Sequence, residues 1–130
     1  MSPACFARLP VYVLPEHGAV VQKLVGSSFQ TVIASETLPA DLQFSAVEIF
    51  VTKEDVIYLL DDRNSRILRI DPAEPLKPSV VGEVPSEQDP DLWSLFVTEA
   101  GTIYVTDDAQ RKVLGIPPRQ HTPHRSLAVS

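Results

Sequence analysis

The densest run of chemically capable side chains is Asp61-Asp62-Arg63-Asn64-Ser65-Arg66. Two carboxylates beside two guanidinium groups are the raw material of an acid–base pair or a cation site. Such chemistry needs both acids to converge on one substrate. The run, however, lies between two apolar stretches, Val56 to Leu60 and Ile67 to Ile70. Neighbouring residues of a strand point to opposite faces, so Asp61 and Asp62 should diverge. The bland alternative is a hairpin turn. Asp and Asn accept hydrogen bonds from backbone N–H groups two residues on, and they tolerate turn dihedrals. Arg66 could then pair with a carboxylate and lay its aliphatic stem over a neighbouring strand.

The turn reading is favoured because the knot recurs. At an offset of 46 residues, Phe50 to Ile70 lies over Phe96 to Ile116 without a gap, and nine of twenty-one positions are identical. The second knot is Asp107-Asp108-Ala109-Gln110-Arg111-Lys112, with Lys112 in the place of Arg66. A further step back lays Val11 to Leu24 over Ile57 to Ile70. Tyr12, Tyr58 and Tyr104 then coincide, as do Lys23 and Arg69, a basic pair that Gly115 breaks in the third unit. In the first unit Pro15 and Glu16 replace the paired aspartates. Internal periodicity of this length is a signature of repeat architectures.

The elements that must hold these knots follow from the grammar of each unit. A short apolar strand ("EIFVT", "SLFVT") leads into a turn, then a second strand ("VIYLL", "TIYVT"), the knot, and a third strand ("RILRI", "KVLGI"). "FQTVIA" and "SVVGEV" read as fourth strands. β-Branched and aromatic residues dominate, as strands prefer. Val56 to Leu60 is apolar at every position, which predicts a strand covered on both faces. Five prolines between Asp71 and Asp91 confine that segment to loop with one short strand. "DPDLWSLF" carries a helix-start pattern, but its repeat counterpart reads as strand, leaving at most one helical turn around Pro90 to Leu92. The fold expected is all-β: an incomplete β-propeller of stacked four-stranded antiparallel blades. The repeat domain covers 1–116, in units of about 6–38, 46–85 and 92–116. Residues 117–130 read as a disordered basic tail.

The stretch "IYLLDDRNSRILRID" resembles the NHL repeat, whose core has a Tyr-Val-Ala-Asp strand end, a short Asn-containing turn, and an Arg followed by a strand. Tyr58 and Asp61 match the strand and its cap; Asn64 and Arg66 match the turn. The resemblance spans Val11 to Ile116. Two departures stand out: Glu54-Asp55 replace glycines of the first turn, and Gln110-Arg111-Lys112 replace Asn-x-Arg. The resemblance implies a propeller used mainly for protein–protein contact. Some members of the family bind RNA on a basic face, and some relatives are enzymes with a metal in the central channel.

Composition narrows the field. The net charge is −6, leaving −8 on residues 1–116, which does not attract a phosphate backbone. Cys5 is the single cysteine, so no internal disulfide and no thiolate zinc site can form. No run of apolar residues is long enough to span a bilayer, and the first ten residues lack a signal-peptide pattern. A cytoplasmic protein is the default expectation. His121 and His124 sit in the tail with Pro123 between them, a poor ligand spacing. Trp93 is expected to pack in or between blades, with exposure for a partner as its rival. The recurring tyrosines are expected to pack.

The functional expectation is a non-catalytic scaffold for protein–protein interaction, with no cofactor and no metal. Its candidate contact loops are Asp61, Asp62, Arg63, Asn64 and Arg66 on one knot, and Asp107, Asp108, Gln110, Arg111 and Lys112 on the other. Rigid blades would display these loops. A propeller enzyme of hydrolase, lactonase or lyase type is the rival. Its inner strands would need channel-facing acids, amides or histidines, and they offer only Glu48 and threonines. An RNA-binding propeller is a further alternative. Because three copies are too few to close a propeller, three readings stay open: further blades in a longer chain, self-association into a ring, and a stand-alone arc whose ends are covered by tails and loops.

Overall fold

A computed structural model describes residues 11–84 and 91–118. Its ten strands form three antiparallel sheets. Sheet 1 holds β1 (Tyr12–Val13), β2 (Val20–Val25) and β3 (Ser28–Ala34) in that order. Sheet 2 runs β4 (Ala46–Val51), β5 (Ile57–Asp61), β6 (Arg66–Ile70), β7 (Ser79–Glu83). Sheet 3 is β8 (Leu92–Val97), β9 (Ile103–Asp107) and β10 (Lys112–Ile116). Each strand pairs with its neighbour in sequence, the up-and-down order of a propeller blade. The architecture is all-β, and the stacked sheets make an incomplete propeller. The strands expected from the repeat are present, "FQTVIA" in β3 and "SVVGEV" in β7 included. Leu92 lies in strand rather than helix, while Pro90 falls outside the described residues.

The 46-residue offset holds at the level of pairing. Tyr12 opposes Lys23, Tyr58 opposes Arg69, and Tyr104 opposes Gly115. It also holds in the turns. Thr52 N–H donates to the Val56 carbonyl at 2.9 Å, and the Val56 N–H returns to Thr52 Oγ1 at 3.1 Å. Thr98 and Thr102 make the same two bonds at 2.9 and 3.1 Å. Both turns need a left-handed residue. Gly101 supplies it with φ 95°, and Asp55 supplies it with φ 68°.

Two apolar cores lie between the sheets. Sheets 1 and 2 enclose Val21, Ile33, Phe44, Ile57, Leu59 and Leu68, among others. Sheets 2 and 3 enclose Tyr58, Leu60, Ile67, Leu95, Ile103 and Val105, among others. Alternate residues of β5 therefore enter different cores, which explains why that strand is apolar throughout. Leu59, Leu60, Ile67 and Leu68 are each 0% exposed, and burial of one such side chain contributes about 1.5–3 kcal/mol. The inner strands β4 and β8 lie side by side, with Phe50 meeting Phe96 edge to face at 5.2 Å.

Trp93 corrects an expectation. It is 61% exposed, not packed between blades. It sits at the start of β8, where a register irregularity separates Leu92 from Leu95. Its counterpart 46 residues earlier, Val47, flanks the equivalent irregularity and is 46% exposed. The position lies outside the interior in both units.

Candidate functional site

Both knots are built on a buried aspartate. Asp61 closes β5 and is 0% exposed; Asp107 closes β9 and is 2% exposed. Each reaches back to the segment that opens its own sheet. Asp61 Oδ1 accepts the Ser45 N–H at 3.1 Å, and the Asp62 N–H donates to the Ser45 carbonyl at 3.1 Å. Asp107 Oδ1 accepts the Asp91 N–H at 3.0 Å, and the Asp108 N–H donates to the Asp91 carbonyl at 2.8 Å. Ser45 and Asp91 are 46 residues apart. This clasp ties the entry of the first strand to the exit of the second.

Beyond the clasp the knots differ. Asp61 Oδ2 accepts from Asn64 Nδ2 at 3.0 Å and from Arg66 Nε at 2.9 Å. The rest of the Arg66 guanidinium donates to the Asp41 carbonyl at 2.8 Å and the Gln43 carbonyl at 2.9 Å. Arg66 thereby stitches the connector between sheets 1 and 2 onto the knot. Asp107 instead accepts the Ala109 N–H at 3.1 Å, the bond to a group two residues on that a turn aspartate favours. Ser65 and Arg111 stand at matching left-handed positions, φ 51° and 54°.

The two acids of each knot diverge. Asp62 and Asp108 are exposed, with Arg63, Asn64, Arg111 and Lys112; Gln110 is half-buried. Burial, and then the charges of Asp91 and Asp61, push the Asp62 carboxyl above its ordinary pKa. Asp91 opens sheet 3, so the exposed acid of one knot lies near the entry of the next sheet.

In the first unit, Pro15–Gly18 forms a short turn with Glu16 and His17 left-handed, φ 56° and 59°. Its link to the next sheet runs through the His17 carbonyl, which accepts from Ser45 Oγ at 2.8 Å.

Other chemistry-bearing groups do not converge. Glu48 Oε1 accepts its own neighbour's N–H, that of Ile49, at 3.2 Å. At the end opposite the knots, a shallow cleft of about 510 Å³ lies between β4–β5 and β8, with Tyr58, Arg69 and Lys53 on its wall. Lys53 there pairs with Glu99 at 3.6 Å, both well exposed, a contact of little energetic weight. Among the described residues no three His, Cys, Asp or Glu side chains are grouped to hold a metal ion. Cys5, His121 and His124 lie outside the described residues, as do residues 119–130 of the tail. Among the described residues no helix is long and apolar enough to cross a membrane. No protein-family model matches the chain, and no curated protein matches it significantly.

Sequence reasoning located the knots but not Ser45, Asp91, Asp41 or Gln43. Ser45 and Asp91 carried one usable signal, their 46-residue separation. The carbonyls of Asp41 and Gln43 carried none, since any residue supplies a carbonyl.

Proposed function

We propose that the chain is a non-catalytic, NHL-like propeller module, cytoplasmic in setting, that mediates protein–protein interaction through its knots. One observation carries the reading: each knot sets an exposed polar crest on a buried aspartate that is hydrogen-bonded within the chain. Both oxygens of Asp61 and Oδ1 of Asp107 accept hydrogen bonds inside the chain, and both side chains are buried, which disfavours their acting on a substrate. Asp62, Arg63, Arg111 and Lys112 face solvent at the same end of adjacent sheets. Anchoring of this kind fixes loop geometry before a partner arrives, which lowers the ordering cost of binding. Arg66, with its guanidinium bonded internally, serves as support rather than as a contact.

The test compares proteins captured by the wild-type chain with those captured by Arg63→Asp/Arg111→Asp and by Lys53→Ala/Glu99→Ala. The knot variant should lose partners that the opposite-end variant keeps. Identical capture by all three would overturn the reading. Stoichiometric Ca²⁺ or Zn²⁺ retained after dialysis would favour the enzyme alternative instead, and a salt-sensitive RNA complex would favour the nucleic-acid alternative.

A further inference from the structure

Each sheet of this chain has two unlike faces, and the repeat identifies them. One face receives the next sheet: Phe50, Tyr58, Leu60 and Ile67 of sheet 2 lie beneath sheet 3. The other face docks on the previous sheet. In sheet 2 that face holds Ile57, Leu59, Leu68 and Ile70; in sheet 3 it holds Ile103, Val105, Leu114 and Ile116, the same positions 46 residues on.

Among the described residues the two outer sheets leave one face of each kind uncovered. On sheet 3 the receiving positions are Phe96, Tyr104, Thr106 and Val113. Tyr104 is 42% and Val113 64% exposed, whereas Tyr58 and Ile67 at the same positions are 9% and 0%. On sheet 1 the docking positions are Val11, Val13, Gln22 and Leu24, with Phe29 and Thr31 on the neighbouring strand. We infer that these two faces meet between copies: sheet 3 of one chain receives sheet 1 of a second chain, head to tail.

Charge supports this occupant. At the knot end of the open receiving face, Arg111 and Lys112 flank Trp93, Thr106 and Val113, beside the exposed Asp108. At the knot end of the open docking face, Glu16 and Glu36 flank Gln22 and Thr31. Within the chain, sheets stack knot end to knot end: Ser45 Oγ at the entry of sheet 2 donates to the His17 carbonyl in the turn of sheet 1 at 2.8 Å. The same stacking between copies sets two bases opposite two acids, where the seam between sheets 2 and 3 sets Asp62 near Asp91. Opposite potentials of this kind favour the correct register.

The interface is heterologous, so it must close or run on as a filament. Two chains bring six sheets, within the four to eight of closed propellers, and three would bring nine, beyond them. A closed dimer is the expected form. Arg111 and Lys112 belong both to this rim and to the proposed contact crest; Thr31→Glu, on the opposite face, breaks the dimer without touching that crest, so the two readings fail separately.

Light scattering behind size exclusion should give twice the 14.3 kDa of one chain. Val113→Glu on the receiving face and Thr31→Glu on the docking face should each weaken association by about thirtyfold or more. Both positions are exposed, so the melting of the isolated chain should hold. An equimolar mixture of the two variants should recover a dimer, since one intact face of each kind remains. A wild-type chain that stays a monomer up to its solubility limit would overturn the inference, and so would a Thr31→Glu chain that associates as wild type. A mixture that fails to associate while each variant alone is a folded monomer would also overturn it.

Discussion

The knots of the second and third units occupy the same position and differ in their bonding. Both bury an aspartate and clasp the segment that opens their sheet. Among the described residues Asp107 has only backbone donors, from Asp91 and Ala109. Asp61 adds a guanidinium and an amide, and through Arg66 it reaches carbonyls 23 and 25 residues before that arginine. The comparison separates a common device from an elaboration. The common device is the clasp between strand entry and strand exit. The elaboration ties in the connector from sheet 1; the corresponding residues before sheet 3, 85–90, lie outside the described residues.

That contrast sets the order of expected effects. Asp61→Ala removes one partner of a buried ion pair and leaves Arg66 uncompensated, a loss of about 3–5 kcal/mol; equilibrium urea unfolding measures it. Asp107→Ala orphans backbone donors without stranding a charge, so the same measurement should give about 1–3 kcal/mol. Equal losses would erase the distinction between the knots. The first turns offer a second contrast. Gly101→Ala should cost about 1–2 kcal/mol, because a side chain at φ 95° crowds the following carbonyl. Asp55→Gly should be neutral or gain up to about 1 kcal/mol at the matching position, with relief of the left-handed backbone offset in part by glycine's entropy. Thermal melting should fall for Gly101→Ala and hold or rise for Asp55→Gly.

The smallest effect concerns Asp62. Its folded pKa is raised by burial and by Asp91 and Asp61. The folded state therefore holds this proton more tightly than the unfolded chain. The linked stability is present in full below the ordinary aspartate value of about 3.9 and is lost as pH rises through the raised folded value. Asp62→Asn should melt slightly above wild type at neutral pH, and the two melting temperatures should converge below that ordinary value. A gap that widens in acid would reverse the sign.

Much of the fold could be read from residue types because the repeat supplied a second copy of each observation. An unbroken apolar β5 gave a sheet covered on both faces, and the divergence of Asp61 from Asp62 followed from strand geometry. The end faces also left traces: Gln22 stands where Leu68 is buried, and Thr106 where Leu60 is buried. Trp93 misled because a large aromatic ring in a strand suggests an interior, and nothing in its type reveals a register irregularity. The wider partners of Arg66 were invisible for another reason. They are main-chain carbonyls of a connector, and their placement depends on how the first two sheets stack.

Gly18 occupies the place that Asn64 holds in the next unit. A Cβ on it would lie 2.6 Å from the Ala46 nitrogen and 2.8 Å from the Ala46 carbonyl carbon. The first unit thus has no room for the side chain that the other two units carry at this position, Asn64 and Gln110. Restoring the asparagine would prise apart the seam between the first two sheets, so the divergence of that unit is locked in by the neighbour resting against it.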